Sequence, residues 1–139
     1  MESNPAPSSG LPAEPGSGVL DLNVMEQLLN LDDGELGLLK EMMGLFVDDT
    51  PGRIQAIEAA LASGDLSDLA DVAHAVKGAA GTMGVPKVRA VAAELEHGGR
   101  KGAFSTDPHL LIEHLKEAYA DGLAALQAYV AGREKPSGS

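Results

Sequence analysis

The strongest constraint on this 139-residue chain is its punctuation: amphipathic runs are separated by glycine, proline and acidic residues where helices begin and end. Asp65 precedes one run that stops at Gly84, Pro86 opens the next, and Asp107-Pro108 open the last. Aspartate caps the free N–H groups of a first helical turn. Proline fits that turn because its missing N–H would be unbonded anyway, and glycine takes the left-handed conformation that ends a helix. Aromatic residues make up only 3% of the chain (Phe46, Phe104, Tyr119 and Tyr129), so Leu, Val, Ala and Met must build the core. Ala, Leu, Glu and Met favour helices over strands. The expected fold class is therefore all-α, an antiparallel four-helix bundle with a short extra N-terminal helix.

Five helical segments are predicted. The first covers Leu22–Leu29 behind Asp21 as N-cap. The second opens after Asp32 or Asp33, and Leu38, Leu39, Met42, Leu45 and Phe46 recur along it at spacings of three and four. Phe46 and the Met42-Met43 pair read as core. At Thr50-Pro51 two arrangements are open. Either Thr50 caps a new helix with Pro51 at its first position, or one helix runs from about Glu35 to Ser63 with a kink at the proline. Ile54, Ile57 and Leu61 continue the apolar spacing in the second case. The third segment spans Ser67–Met83, the fourth Pro86–His97 with Gly98-Gly99 as its stop, and the fifth runs from about Asp107 to Ala131. Residues 1–18, of which eleven are Pro, Gly or Ser, and residues 132–139 are expected to be disordered tails. The folded domain is then 19–131.

Net charge restricts the partners. At −11, the chain lacks the clustered Lys and Arg that bind a nucleic-acid backbone, and it would be repelled by anionic membrane surfaces. It has no cysteine, which excludes disulfides, thiolate metal sites and a Cys nucleophile. No run of 18 apolar residues and no apolar signal-peptide core occurs, so a soluble, cytoplasmic, monomeric protein is expected. Neither G-x-x-x-x-G-K-[ST] nor G-x-G-x-x-G after a strand is present. No nucleotide cofactor and no kinase activity are expected.

The informative segment is Ser67–Gly84. At about 100° per residue, with His74 set at zero, Leu69, Val72, Val76, Ala79, Ala80 and Met83 fall between about 140° and 240°. That apolar face lies opposite His74. Lys77, Gly78 and Gly81, at offsets of three, four and seven, share the histidine's face, and Asp71 lies at its edge. Glycine in an exposed helix interior costs about 1 kcal/mol relative to alanine, so two of them there serve no folding purpose. What glycine provides is close approach of another molecule. An imidazole, an ammonium one turn away and a cleared area suit an anion-bearing partner, with phosphate the natural candidate.

The run His74-Ala75-Val76-Lys77-Gly78-Ala79-Ala80-Gly81-Thr82-Met83-Gly84 resembles the H-x-x-K-G-(A/S)-x-x-x-(apolar)-G signature of histidine phosphotransfer (HPt) domains. Leu20-Asp21 resembles the family's first short helix, Leu45-Phe46 with Asp48-Asp49-Thr50-Pro51 its long second helix, and Ala93-Glu94-Leu95-Glu96 the helix after the histidine. The resemblance favours one kinked second helix. It implies a carrier in a multistep, bacterial-type two-component phosphorelay. His74 would accept a phosphoryl group from a receiver-domain aspartate, at Nε2, and pass it to another receiver, with Lys77 stabilising phosphoryl charge. Ala70, Asp71, Ala73, Gly78 and Gly81 would form the docking surface. Partners would be response-regulator receiver domains and a hybrid histidine kinase. The protein itself would carry no cofactor or metal, the Mg²⁺ needed for transfer sitting on the receiver.

Two rivals come from other classes. One is a non-catalytic helical module that docks receiver or kinase domains without phosphorylation, because an exposed histidine on its own is usually a solvated side chain. The other is a metal-binding bundle. Glu94 and His97 have an i,i+3 spacing found in carboxylate metal sites, but such sites need a second motif, and His109 and His114 are five apart rather than three or four. Lys87, Arg89, Arg100 and Lys101 form either a basic rim near His74 or ordinary surface charge.

Overall fold

A computed structural model describes residues 19–134. The expected tail at 1–18, and residues 135–139 of the tail expected at 132–139, lie outside the described residues. The chain forms α1 (Leu22–Leu31), α2 (Gly37–Ser63), α3 (Leu66–Met83), α4 (Pro86–Lys101) and α5 (Pro108–Arg133). α2 to α5 make the bundle, α3 packing between α2 and α4, and α5 closing against α4 and α2. The short α1 sits across one end. Asp21 N–H donates to Gly84 O at 2.7 Å, and a side chain at Gly84 would run into Val24 and Met25. The last helix continues to Arg133, two residues into the segment expected to be tail.

The caps work as their residue types dictate. Asp21, Asp65 and Asp107 accept from backbone N–H groups of the first turns of α1, α3 and α5. Asp32 ends α1, and its carboxylate also accepts from Leu38 N–H at 2.9 Å, so one side chain closes one helix and opens the next. α2 therefore starts at Gly37, later than its acidic signals suggest. Pro51 lies inside an uninterrupted α2. Pro51 and Val47, whose carbonyl it deprives of a donor, are both exposed, so the missing bond falls on the solvent side of α2. Meanwhile Phe46, Thr50, Ile54 and Ile57 keep the buried face continuous across the proline. Phe46 packs against Tyr119 of α5, ring centroids 5.4 Å apart.

Gly98-Gly99 do not end α4. The helix runs through them to Lys101, and Gly102 takes the left-handed cap at φ 73°. Both glycines are buried, and each removes a side chain where another element passes close. The ring of Phe104 fills the space over Gly98. A Cβ on Gly99 would meet Leu66 O at 2.9 Å and Ala70 Cβ at 3.0 Å. Here α4 touches the backbone of α3.

Gly99→Ala should accordingly destabilise the protein by about 1–2 kcal/mol. The crowding against a fixed carbonyl outweighs the gain in helix propensity. Thermal unfolding monitored by circular dichroism checks this, and an unchanged or raised Tm would mean that α3 and α4 are farther apart than described.

Candidate functional site

Close α3–α4 packing changes which face of α3 is free. The buried residues are Leu69, Ala70, Ala73, Val76, Ala80 and Met83, while Val72 and Ala79 are only half-buried. The core face is thus rotated by roughly 50° toward the small residues. Ala70 and Ala73, expected on a docking surface, are 0% exposed. Ala70 lies against Gly99 of α4, and both alanines, being buried, are removed from the docking surface. Gly81 is half-buried, with Arg89 of α4 lying across it. His74, Asp71 and Gly78 remain exposed, and a Cβ on Gly78 would meet nothing within 4 Å.

His74 stands in the middle of α3 with 63% of its side chain exposed. Glu96 of α4 lies beside it, its side chain only 15% exposed. His74 Nδ1 is 2.9 Å from Glu96 Oε2, and Lys77 Nζ is 2.7 Å from Glu96 Oε1. Arg100, one turn along α4, reaches Asp71 Oδ1 at 2.8 Å and approaches Glu96 Oε2 at 3.7 Å. Two carboxylates and two cations thus form a charge-balanced frame around one imidazole. The Lys77 hydrogen bond holds the Glu96 carboxyl below the usual carboxylate range. Burial opposes this, and the contact with His74 adds to it.

An ionised carboxylate only accepts hydrogen bonds, so Nδ1 must be the donor. In the neutral ring this leaves the lone pair on Nε2, the nitrogen not engaged by Glu96. An exposed imidazole held through one nitrogen, with the other free, can act as a nucleophile, and Lys77, held within a turn of it, is a cation available to an incoming anion.

Beside Gly78 a shallow apolar groove runs between α2 and α3, lined by Met42, Leu45, Phe46 and Ala79, with Arg53 at its rim. Leu45 is 59% exposed, although the stripe on α2 places it with the core residues. Among the described residues no group of three His, Asp or Glu is placed to hold a metal ion. Glu94 and His97 border a separate cleft near Phe104, away from His74. Arg89 and Arg100, from the suggested basic rim, do reach α3.

Glu96 and Arg100 are functional candidates that residue spacing alone does not single out. Glu96 stands next to Leu95 in the α4 pattern Val88, Ala92, Leu95, Gly99, at the border of its buried face. That position marks a residue close to a neighbouring helix. Which α3 residue it meets depends on the register of two helices that local pattern does not encode.

The fold and site define a helical bundle that presents an exposed imidazole, held by a neighbouring carboxylate, on a helix surface. The sequence profile of the Hpt domain matches residues 41–129, and the chain belongs to that family. The structure resembles the phosphotransfer protein HptB of Pseudomonas aeruginosa (26% identity, TM-score 0.74, covering 86% of this chain and 99% of that one). It also resembles the histidine-containing phosphotransfer domain of ArcB from Escherichia coli (23%, TM-score 0.73, 87% and 100%). The HPT domain of a sensor hybrid histidine kinase from Shewanella shares the fold (21%, TM-score 0.61, 81% and 97%). No curated protein sequence matches. Membership makes the chain a phosphotransfer carrier of a two-component phosphorelay. No described helix is long and apolar enough to cross a membrane.

The Glu96 site carries a pH signature. A carboxyl whose folded pKa is depressed stabilises the fold above its unfolded pKa, and loses that contribution as pH falls through the folded value. Unfolding midpoints of wild type and Glu96→Gln should therefore differ most near neutral pH and converge below the usual carboxylate range. A difference independent of pH between neutrality and about pH 3 would contradict the ionised Glu96.

Proposed function

We propose that His74 is the phosphoryl acceptor. Nε2 attacks the phosphorus of an aspartyl-phosphate on a receiver domain, the N–P bond forms, and the P–O bond to the aspartate breaks, its electron pair returning to the carboxylate. A second receiver's aspartate reverses the chemistry and takes the group onward. Lys77 swings from Glu96 toward the phosphoryl oxygens as their charge reorganises, its long stem permitting this without movement of the helix. Mg²⁺ acts from the receiver's acidic pocket. The carrier contributes a positioned nucleophile and no cofactor, ATP site or kinase activity, and works in the cytoplasm as a monomer.

The observation that carries this reading is the exposed His74 ring whose Nδ1 is engaged by Glu96 at 2.9 Å, which leaves Nε2 without a protein partner among the described residues. Docking is assigned to Asp71, Gly78 and the rim at Gly81, with the apolar groove at Leu45 receiving an apolar helix of a receiver, whether on a response regulator or a hybrid kinase. Exposed glycine at position 78 weakens the helix, and the open space over it admits the partner's active-site loops.

Incubation with a labelled phospho-receiver should label the wild type in an acid-labile, base-stable form. His74→Gln should take up no label yet still bind the receiver. Label retained by that variant would exclude His74, and binding without label in the wild type would leave a docking module. Gly78→Ala should raise stability by about 0.5–1 kcal/mol while slowing transfer. Leu45→Glu should weaken receiver binding about tenfold, roughly 1.4 kcal/mol, with Tm unchanged. Full-rate transfer by both variants would place the docking surface elsewhere.

A further inference from the structure

We propose that Glu96 is a positioning residue that keeps the proton on Nδ1 of phosphorylated His74, and so sets the pH range over which the protein gives up its phosphoryl group. This rests on His74 being the acceptor and concerns the release of the group rather than its capture. When Nε2 attacks phosphorus, the Nδ1 hydrogen stays in place and the ring becomes cationic. In the return step an acceptor carboxylate oxygen bonds to phosphorus, and the N–P electron pair goes back to Nε2. With Nδ1 protonated, the departing group is a neutral imidazole. If Nδ1 has lost its proton, the departing group is an imidazolate, a far poorer leaving group. Retention of that one proton therefore separates a labile phosphohistidine from a stable one.

The charges around the ring decide where it titrates. On α4, Glu96 faces Nδ1 at 2.9 Å and favours the protonated ring, while Arg100, 3.7 Å from the same carboxylate, opposes it. On α3, Lys77 opposes protonation and Asp71 favours it, although Asp71 is engaged by Arg100 at 2.8 Å. On α2, Asp49 and Arg53 border the groove beside Gly78 with opposite charges. Glu96 is the group in direct hydrogen-bond contact with the titrating nitrogen, and at 15% exposure its charge is weakly screened. A glutamine would still accept a hydrogen bond at this position but would carry no charge. It would also leave Lys77 and Arg100 without this carboxylate.

The test uses phosphoramidate as the phosphoryl donor, so that no receiver is needed, and follows the ring nitrogens of phosphorylated His74 by NMR as pH is varied. The ring of Glu96→Gln should titrate roughly one pH unit lower than wild type, with the pH profile of label loss displaced equally toward acid. Lys77→Met retains Glu96 and should move the midpoint the opposite way, which tests the idea even if Glu96→Gln folds poorly. Midpoints within about 0.3 unit of wild type in folded Glu96→Gln, or no upward shift in Lys77→Met, would overturn the assignment while leaving His74 as acceptor. Failure of wild-type His74 to be phosphorylated by either phosphoramidate or a receiver would instead overturn the acceptor reading itself.

Discussion

One carboxylate organises the working surface of this protein. Glu96 accepts Nδ1 of His74 and the ammonium of Lys77 at the same time, joining two residues of α3 to a third on α4. An isolated surface ion pair contributes little to stability, and its two long side chains rarely hold one geometry. Here the carboxylate is mostly covered, has two partners at hydrogen-bond distance and a second cation, Arg100, at 3.7 Å, and so holds a single ring orientation. That orientation decides which ring nitrogen is left free. Without it His74 would be one more solvated histidine.

Glu96 reaches His74 because α3 and α4 pack closely at Gly99. Ala70 on α3 and Gly99 on α4 are both buried, and their small size lets the backbones approach, a Cβ on Gly99 meeting Leu66 O at 2.9 Å and Ala70 Cβ at 3.0 Å. Larger residues would push α4 outward and carry Glu96 away from the imidazole. The rest of the bundle supports this contact. α2 and α5 cover the remaining apolar faces, with Phe46 against Tyr119, and α1 clamps the α3–α4 turn through Asp21 and Gly84. In the proposed reaction the fold holds a rigid, exposed nucleophile, while a receiver brings the metal and the chemistry of the acyl phosphate.

Much of this is legible in the sequence because it is local. Asp21, Asp65 and Asp107 mark three helix starts, Gly84 marks one helix end, and together they order the five helices. His74, Lys77 and Gly78 share an exposed face because helical period alone puts them there. Features that depend on two helices at once are not legible in this way. Ala70 and Ala73 look like a landing area until α4 is placed over them. Gly98-Gly99 look like a stop until Phe104 and Leu66 are seen to occupy the space their side chains would need. Leu45 belongs to the apolar stripe of α2 but lies at the edge of that face, where none of the described helices covers it. Pro51 is ambiguous for the same reason, since the continuity of α2 depends on the core that Thr50 and Ile54 share with neighbouring helices.

The central claim is that Glu96 leaves Nε2 of His74 as the free nucleophilic nitrogen. Long-range proton–nitrogen correlation spectra of the unphosphorylated protein, labelled at histidine, test it directly. The structure predicts a single neutral tautomer for His74, protonated at Nδ1 and unprotonated at Nε2. A ring protonated at Nε2, or an even mixture of the two tautomers at neutral pH, would contradict it.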